Sequence, residues 1–383
     1  MKVRQPQAFQ HLAVSATSAF AFLLLSNSTL LVAQDRELGR SYFRSVVTIA
    51  GNGQPGPPRE RGAALEVPLS NPFGVQPEAD GSLIIASFDQ HVLFRLDANY
   101  RRLDLIAGSG KKGLSGRSGD FPRKVMFNAP HEIQVDPKGN IFVADTSNHR
   151  VGMISAETGR WEPVAGNGEV GFAGDEGDAA DAKLNQAYSI AVDGNDLFIA
   201  DLKNHRIRKV DLKLGTINTI CGTGTKSMPN DGQKALDQPL AGPRSLAVDK
   251  DNLWIVLREG NSVWRIDRQT GLLHHVAGTG QKGFTGDGGP AREATFKGPK
   301  GIAVDPETAL FVADTENHAI RRIDLKTGLV STVMGNTGKR GFDGDGDAVA
   351  ARKLARPHGV CLLPNGELLV GDSENHRLRL LRQ

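Results

Sequence analysis

The sequence predicts an all-β fold, a six-bladed β-propeller of four-stranded antiparallel blades closed by an N-terminal strand that completes the last blade. Three observations predict it. A glycine ending a short apolar run recurs at Gly51, Gly108, Gly166, Gly222, Gly278 and Gly335, with gaps of 57, 58, 56, 56 and 57 residues. A fixed period of this size marks a repeat architecture. Each marker leads into the same series: a Gly-rich loop, a run such as GIAVD (301–305), a run such as LFVADTENHAIRRID (310–324), then a TG pair and the next marker. No helical period interrupts it. Finally, the ends are complementary. The chain finishes at Gln383 just after HRLRLL (376–381), while SVVTIAG (45–51) stands at the start with no preceding partner strands of its own.

The fifth repeat shows how the elements are read. Pro299 to Val304 predicts an inner strand A, Ala309 to Ala313 strand B, His318 to Ile323 strand C and Leu329 to Met334 strand D. DPET (305–308) and KTG (326–328) supply turn residues between them. Such a sheet has two apolar faces, and a ring of neighbours buries both. Residues 45–51 beside 376–381 would remove the open edge at the seam.

Residues 45–383 are therefore one propeller domain. Before it, Lys2 and Arg4 precede the apolar stretch Leu12 to Ala33, which predicts a signal peptide over residues 1–33 and a short linker over 34–44. The stretch is about long enough to span a bilayer. Ser15, Thr17, Ser18, Ser26, Asn27, Ser28 and Thr29 make it a poor span, so no stable membrane insertion is expected after cleavage. The expected location is secreted or periplasmic. Lys+Arg 46 against Asp+Glu 43 gives a net charge of +3, too balanced for a nucleic-acid partner. Cys221 and Cys361 lie in apolar strand runs of different repeats, where two Cβ atoms rarely come within bonding distance, and read as buried thiols.

The B–C segments VADTSNHRV (143–151), IADLKNHRIRKVD (199–211), VADTENHAIRRID (312–324) and VGDSENHRLRL (370–380) resemble NHL repeats, which build six-bladed propellers. The resemblance covers essentially all of the chain after residue 45 and specifies fold far better than function. Two repeats depart from it. The first has Ser87 for the Asp and Gln90 for the Asn; the fourth has Leu257 for the Asp and Asn261 for the His. The loops GFAGDEGDAADAKL (171–184), GFTGDGGPAREATF (283–296) and GFDGDGDAVAARKL (341–354) resemble a bacterial and teneurin-like subset, which implies an extracellular setting.

The recurrent polar residues are expected to be structural. Asp145, Asp201, Asp314 and Asp372 end strand B, and Asn148, Asn204, Asn317 and Asn375 sit in the B–C turn. His91, His149, His205, His318 and His376 open strand C, spread around the ring and unable to converge on one ion. Carboxylate, amide and imidazole there can satisfy turn backbone groups and a neighbouring loop. Asp343, Asp345 and Asp347 alternate like the start of a calcium loop, but Leu354 stands where the twelfth-position acid belongs. Asp175 and Asp287 recur at the place of Asp345, which suggests a turn or helix cap, with a weak calcium site at 343–347 as the other reading.

The residues entering strand A do not recur: Phe73, His131, Tyr188, Arg244, Lys300 and His358. They should surround the mouth of the central channel. Of these, His131, Tyr188, Arg244, Lys300 and His358 form the candidate ligand site, whose positive charge favours an anionic ligand. APHEI (129–133) and RPHGV (356–360) are similar to the PH segments of peptidyl amidoglycolate lyases, secreted six-bladed propellers. That resemblance implies zinc on His131 and His358, with Tyr188 and Arg244 assisting. A third histidine is missing from the rim, whereas a catalytic zinc ordinarily keeps three protein ligands. No GxSxG nucleophile motif is present. The sequence thus reads as a propeller binding a protein, peptide or glycan through its top face and channel mouth. The alternative is a metal-dependent lyase or hydrolase at the same mouth, with zinc or calcium as the candidate ions.

Overall fold

The computed structural model describes Met1, residues 42–306 and residues 308–383. The signal peptide and most of the linker lie outside the described residues. The rest forms six antiparallel sheets. From the axis outward, blade 1 is Pro72–Pro77, Leu83–Ser87, Val92–Leu96 and Arg102–Ala107. Blade 2 is Pro130–Val135, Ile141–Asp145, Arg150–Ile154 and Trp161–Ala165, and blade 3 is Ala187–Asp193, Asp196–Asp201, Arg206–Asp211 and Thr216–Cys221. Blade 4 is Pro243–Val248, Asn252–Leu257, Ser262–Asp267 and Leu272–Ala277, and blade 5 is Gly301–Asp305, Ala309–Asp314, Ala319–Asp324 and Val330–Met334. Blade 6 is Val360–Leu362, Leu368–Asp372, Arg377–Arg382 and, from the other end of the chain, Ser45–Ala50.

Each inner strand packs against the inner strand of the next blade, and Val360–Leu362 against Pro72–Pro77 closes the ring. The seam is an antiparallel ladder running from Ser45 opposite Arg382 to Ala50 opposite Leu378. The core is divided among the six interblade spaces. Between blades 1 and 2, for example, Ile84, Ala86 and Leu93 meet Ile133, Ile141 and Val143. Three residues that the sequence assigns to the linker belong to the propeller. Arg44 donates its N–H to the Arg382 carbonyl, and Tyr42 and Phe43 pack on Phe311 of blade 5, with Phe43 fully buried.

The glycine marker has a steric cause. Gly166 has φ +83°, and a Cβ there would lie 2.4 Å from the His149 carbonyl oxygen. A Cβ at Gly335 would lie 2.2 Å from that of His318. The outer strand thus ends against the tight turn that starts strand C of its own blade. The histidines occupy that turn rather than the strand itself. His91, His149, His205, His318 and His376 are all left-handed, with φ between 50° and 56°. This geometry aims each ring at the next blade. His91 Nδ1 accepts from the Ala129 N–H at 3.1 Å, His149 from Gln186 at 3.0 Å, His318 from Arg356 at 3.1 Å and His376 from Asn71 at 3.3 Å. In blade 4, Asn261 does the same to Gly298 through its Oδ1 at 2.9 Å. His205 is the exception, since its buried Nδ1 has no hydrogen-bond partner among the described residues. His318→Ala is therefore expected to cost about 1–3 kcal/mol in chemical denaturation, and His205→Ala clearly less, because only the first loses a half-buried interblade hydrogen bond.

The repeated aspartates and asparagines bind loops together. Asp314 Oδ1 accepts from the Lys297 N–H at 2.8 Å while its Oδ2 accepts from Asn317 Nδ2 at 2.8 Å. Asp145, Asp201 and Asp372 repeat this pattern with Asn148, Asn204 and Asn375. A buried arginine completes all four sets: Arg150 lies 2.9 Å from Asp145, and Arg208, Arg321 and Arg379 lie 3.6, 3.5 and 3.4 Å from Asp201, Asp314 and Asp372. The last three also reach a loop carboxylate, Asp175 at 2.7 Å, Asp287 at 2.8 Å and Asp345 at 3.2 Å. This corrects the capping assignment of those three aspartates, whose partner is the buried guanidinium rather than a helix N-terminus. The departures in blades 1 and 4 follow from the same pairing. Where the Asp becomes Leu257 or Ser87, the position of the Arg becomes Trp264 or Phe94. Acid and base are lost together, which avoids leaving either buried alone. Cys221 and Cys361 are free and buried, and burial pushes the Cys361 thiol up to about 12.

Candidate functional site

The pseudo-sixfold axis brings the six non-repeating residues together. Going round it, Phe73 lies edge-on to His131 with ring centroids 4.6 Å apart, and His131 contacts the Tyr188 ring at 3.5 Å. Arg244 places its guanidinium 3.4 Å from the Tyr188 centroid and donates a hydrogen bond to the Tyr188 hydroxyl. Lys300 Nζ lies 3.1 Å from His358 Nε2, and His358 stacks on Phe73 at 3.9 Å and 12°, returning to the start. The sequence-predicted group is therefore one constellation. It is also a closed one: His131 and Lys300 are each 3% exposed and His358 6%. The residues plug the channel at its top end instead of lining an open mouth, and of the six only Arg244 is not fully buried.

The chemistry of the partners fixes protonation. An ammonium can only donate and a carbonyl can only accept. With Lys300 protonated, His358 is therefore neutral, Nε2 accepting from Lys300 and Nδ1–H donating to the Arg356 carbonyl at 2.9 Å. Burial, and then the charges of Lys300 and Arg244, hold its pKa well below the usual imidazole value. His131 is likewise held neutral by burial and by Arg244. Lys300 is drawn down to about 7 by burial and the nearby Arg356. Burial raises the Glu316 carboxyl, but the Arg356 hydrogen bond and the Lys300 charge outweigh it and bring the pKa to about 2. Glu316 lies 3.2 Å from Lys300 and 2.7 Å from Arg356. The expectation of a simply positive rim is thereby corrected: Lys300 is neutralised from outside, which leaves Arg244 as the cation available to a ligand.

The metal assignments fare differently from the constellation. His131 and His358 have ring centroids 6.1 Å apart, with Phe73 against both, and His358 Nε2 is already used by Lys300. Among the described residues, neither nitrogen of His131 has a hydrogen-bond partner. Asp345 pairs with Arg379 and accepts from Thr48, and Asp343 accepts from the Lys353 N–H at 3.0 Å. Among the described residues no three His, Cys, Asp or Glu side chains gather in a way that could hold a metal ion. The residues present do not fit a catalytic zinc at the plug or a calcium loop at Asp343, Asp345 and Asp347.

One residue escaped the sequence reading. Glu132 follows His131 where the other blades carry Gly74, Ser189, Ser245, Gly301 and Gly359. Those positions are small because inner strands approach closely there; a Cβ at Gly359 would lie 1.8 Å from the Phe73 carbonyl oxygen. Glu132 fits because Gly74 opposite it lacks a side chain, the Glu132 Oε1 lying 2.9 Å from where that Cβ would be. Aligning the repeats one residue past the rim would have exposed this exception. Its side chain is half-buried, and burial raises its pKa to about 8, opposed by the Ile133 N–H. A folded value above the unfolded one means that the fold favours the neutral acid. That contribution is complete below about pH 4.5 and is lost as pH rises through 8. Glu132→Gln is therefore expected to raise stability at pH 9 by about 2–4 kcal/mol and to change it little at pH 4, measured by denaturation at both.

Comparison with known proteins agrees with the repeat. The family model described as the NHL repeat matches residues 127–152 and 354–379, and that of the teneurin NHL domain matches residues 274–342. NHL repeat-containing protein 2 of Gallus gallus is 29% identical over 292 residues, covering 68% of this chain and 39% of that protein. Teneurin-3 of Mus musculus is 28% identical over 377 residues, covering 89% of this chain and 13% of that protein. The chain thus spans well under two thirds of these relatives. An auxiliary nutrient binding protein from Bacteroides ovatus superposes with a TM-score of 0.64 at 15% identity, covering 89% of this chain and 76% of that one. A structural genomics protein of unknown function from Bacteroides thetaiotaomicron superposes with a TM-score of 0.66 at 16% identity, covering 88% and 76%. At such identities the likeness concerns fold alone. Blade count, strand order, the Asp-Asn-His turn and the family models agree: the chain is a six-bladed β-propeller that carries NHL repeats.

Proposed function

We propose that this propeller is a binding module which recognises a protein, peptide or glycan through its top face, at the head of the channel. The observation that carries this reading is the convergence of Phe73, His131, Tyr188, Arg244, Lys300 and His358 on the axis, at the one strand position where the repeat does not dictate the residue. NHL propellers are a typical interaction module, and a structural neighbour is named as a nutrient binding protein. The plug offers a partner the exposed part of Arg244, a cation suited to a carboxylate or other anionic group. Glu316, Arg356 and Glu374 form an ion-paired rim beside it. The commitment of His358 to Lys300 favours binding over metal-dependent chemistry at the same place. A secreted or periplasmic location belongs to this proposal, and rests on the apolar segment before residue 34. No helix among the described residues is long and apolar enough to cross a membrane. The test is a screen of peptide libraries and glycan arrays with the wild type and with Arg244→Ala. Ligands retained by the first and lost by the second support the reading. Stoichiometric zinc in the purified protein, released by His131→Ala, would instead support the enzyme.

A further inference from the structure

A second recurrent feature lies outside the plug and is not used by it. In four blades the B–C asparagine donates from Nδ2 to the carbonyl of a loop glycine: Asn148 to Gly113 at 2.7 Å, Asn204 to Gly171 at 2.6 Å, Asn317 to Gly283 at 2.7 Å and Asn375 to Gly341 at 2.7 Å. The residue after each of those glycines is Leu114, Phe172, Phe284 or Phe342. The same hydrogen bond therefore holds the same apolar position in each of these four blades. Met228 stands in the corresponding loop before blade 4. Leu114 is 51% exposed, Phe172 42%, Phe342 40% and Met228 38%, while Phe284 is half-buried. Exposed basic residues accompany them at Lys112, Lys226, Lys282 and Arg340, the last paired with Glu374 at 3.0 Å. The loop before blade 3 carries Glu169 instead, which is paired with Lys183 at 2.7 Å. Guanidinium groups also cover two of the rings, Arg206 lying 3.8 Å from the Phe172 centroid and Arg377 4.0 Å from that of Phe342.

We infer that this ring of apolar and basic side chains docks the top face on an anionic lipid surface. A pattern repeated around the axis in four of the six blades meets a flat, laterally uniform partner alike at each of them, whereas the surface of a folded protein has no such symmetry. Apolar tips flanked by Lys and Arg match the boundary between acyl chains and acidic headgroups. Leu114 and Met228 are aliphatic and offer nothing to stack on a base, and the Phe172 and Phe342 rings already carry a guanidinium, which disfavours single-stranded RNA as the occupant. A face-to-face second copy would oppose like charges. The inference is independent of the ligand read by Arg244, since the ring surrounds the plug without including it.

The experiment is flotation of the full chain with phosphatidylcholine vesicles, with and without phosphatidylglycerol. The wild type is expected to bind only the anionic vesicles, and less so at high salt. Lys112→Glu, Lys226→Glu and Lys282→Glu are each expected to weaken binding at least roughly fivefold and together roughly a hundredfold or more. Leu114→Ser should weaken it with an unchanged melting temperature. Arg244→Ala should bind the vesicles as the wild type does, so that failure here and failure at the plug can be told apart. Equal binding to both vesicle types, indifference to the three charge reversals, or RNA binding lost with the same reversals in the absence of vesicle binding would overturn the inference.

Discussion

Deleting residues 35–51 is expected to lower the melting temperature by roughly 10 °C or more, the largest effect of any change considered. The deletion removes the outer strand of blade 6, which pairs with Arg377–Arg382 from Ser45 to Ala50. It also takes away four fully or almost fully buried apolar residues, Phe43, Val46, Ile49 and Ala50. Burial of the first three alone is worth about 5 kcal/mol or more. Arg377–Arg382 would then carry an unpaired edge, and the described Thr48 contact to Asp345 would be lost with it. Thermal unfolding followed by circular dichroism checks this. A truncated chain melting with the full one would show that blade 6 is not closed by the N-terminal strand.

The second large effect concerns the buried charges. Arg321 is 1% exposed and lies between the Phe284 and Phe296 rings, reaching Asp314 and Asp287. Arg321→Met is expected to cost about 3–5 kcal/mol, because it leaves the fully buried Asp314 without its cation. Asp314→Leu should cost a similar amount by stranding Arg321. The double variant Asp314→Leu/Arg321→Trp copies the natural pair Leu257 and Trp264 of blade 4, and is expected to cost no more than either single change. Equilibrium denaturation of the three proteins measures the coupling. Additive losses would mean that the paired departures in blades 1 and 4 have some other cause than charge balance.

These two results bear on what the sequence discloses. The glycine period is legible because a steric requirement lies behind it: Gly335 faces the His318 carbonyl at a distance that excludes any side chain. The Asp-Asn-His turn is legible for the same reason, being one hydrogen-bonded device copied around a ring. The convergence of the rim residues could also be read, since position in strand A fixes distance from the axis. Their mutual engagement could not. Lys300 and His358 are 58 residues apart, and Tyr188 and Arg244 are 56 apart. Those separations equal the repeat period, so each contact joins equivalent positions of adjacent blades and leaves no local signal. Glu316, which neutralises Lys300, comes from a B–C turn whose sister positions hold Ser147, Lys203 and Glu374. The partner of Asp345 was hidden likewise, because Arg379 reads as a surface residue of an alternating strand until the loop is seen folding over it.

The central claim is that the head of the channel, and Arg244 in particular, recognises the partner. The most direct measurement is the dissociation constant of the first peptide or glycan recovered from the screen, for the wild type, Arg244→Ala and Lys282→Ala. Arg244→Ala is expected to weaken an anionic ligand by about 1.5–3 kcal/mol, roughly ten- to 150-fold, through loss of a charge-assisted hydrogen bond, with the fold intact. Lys282→Ala, in an outer loop, should leave the constant unchanged. Equal affinity for the wild type and Arg244→Ala, with both proteins melting alike, would contradict the claim.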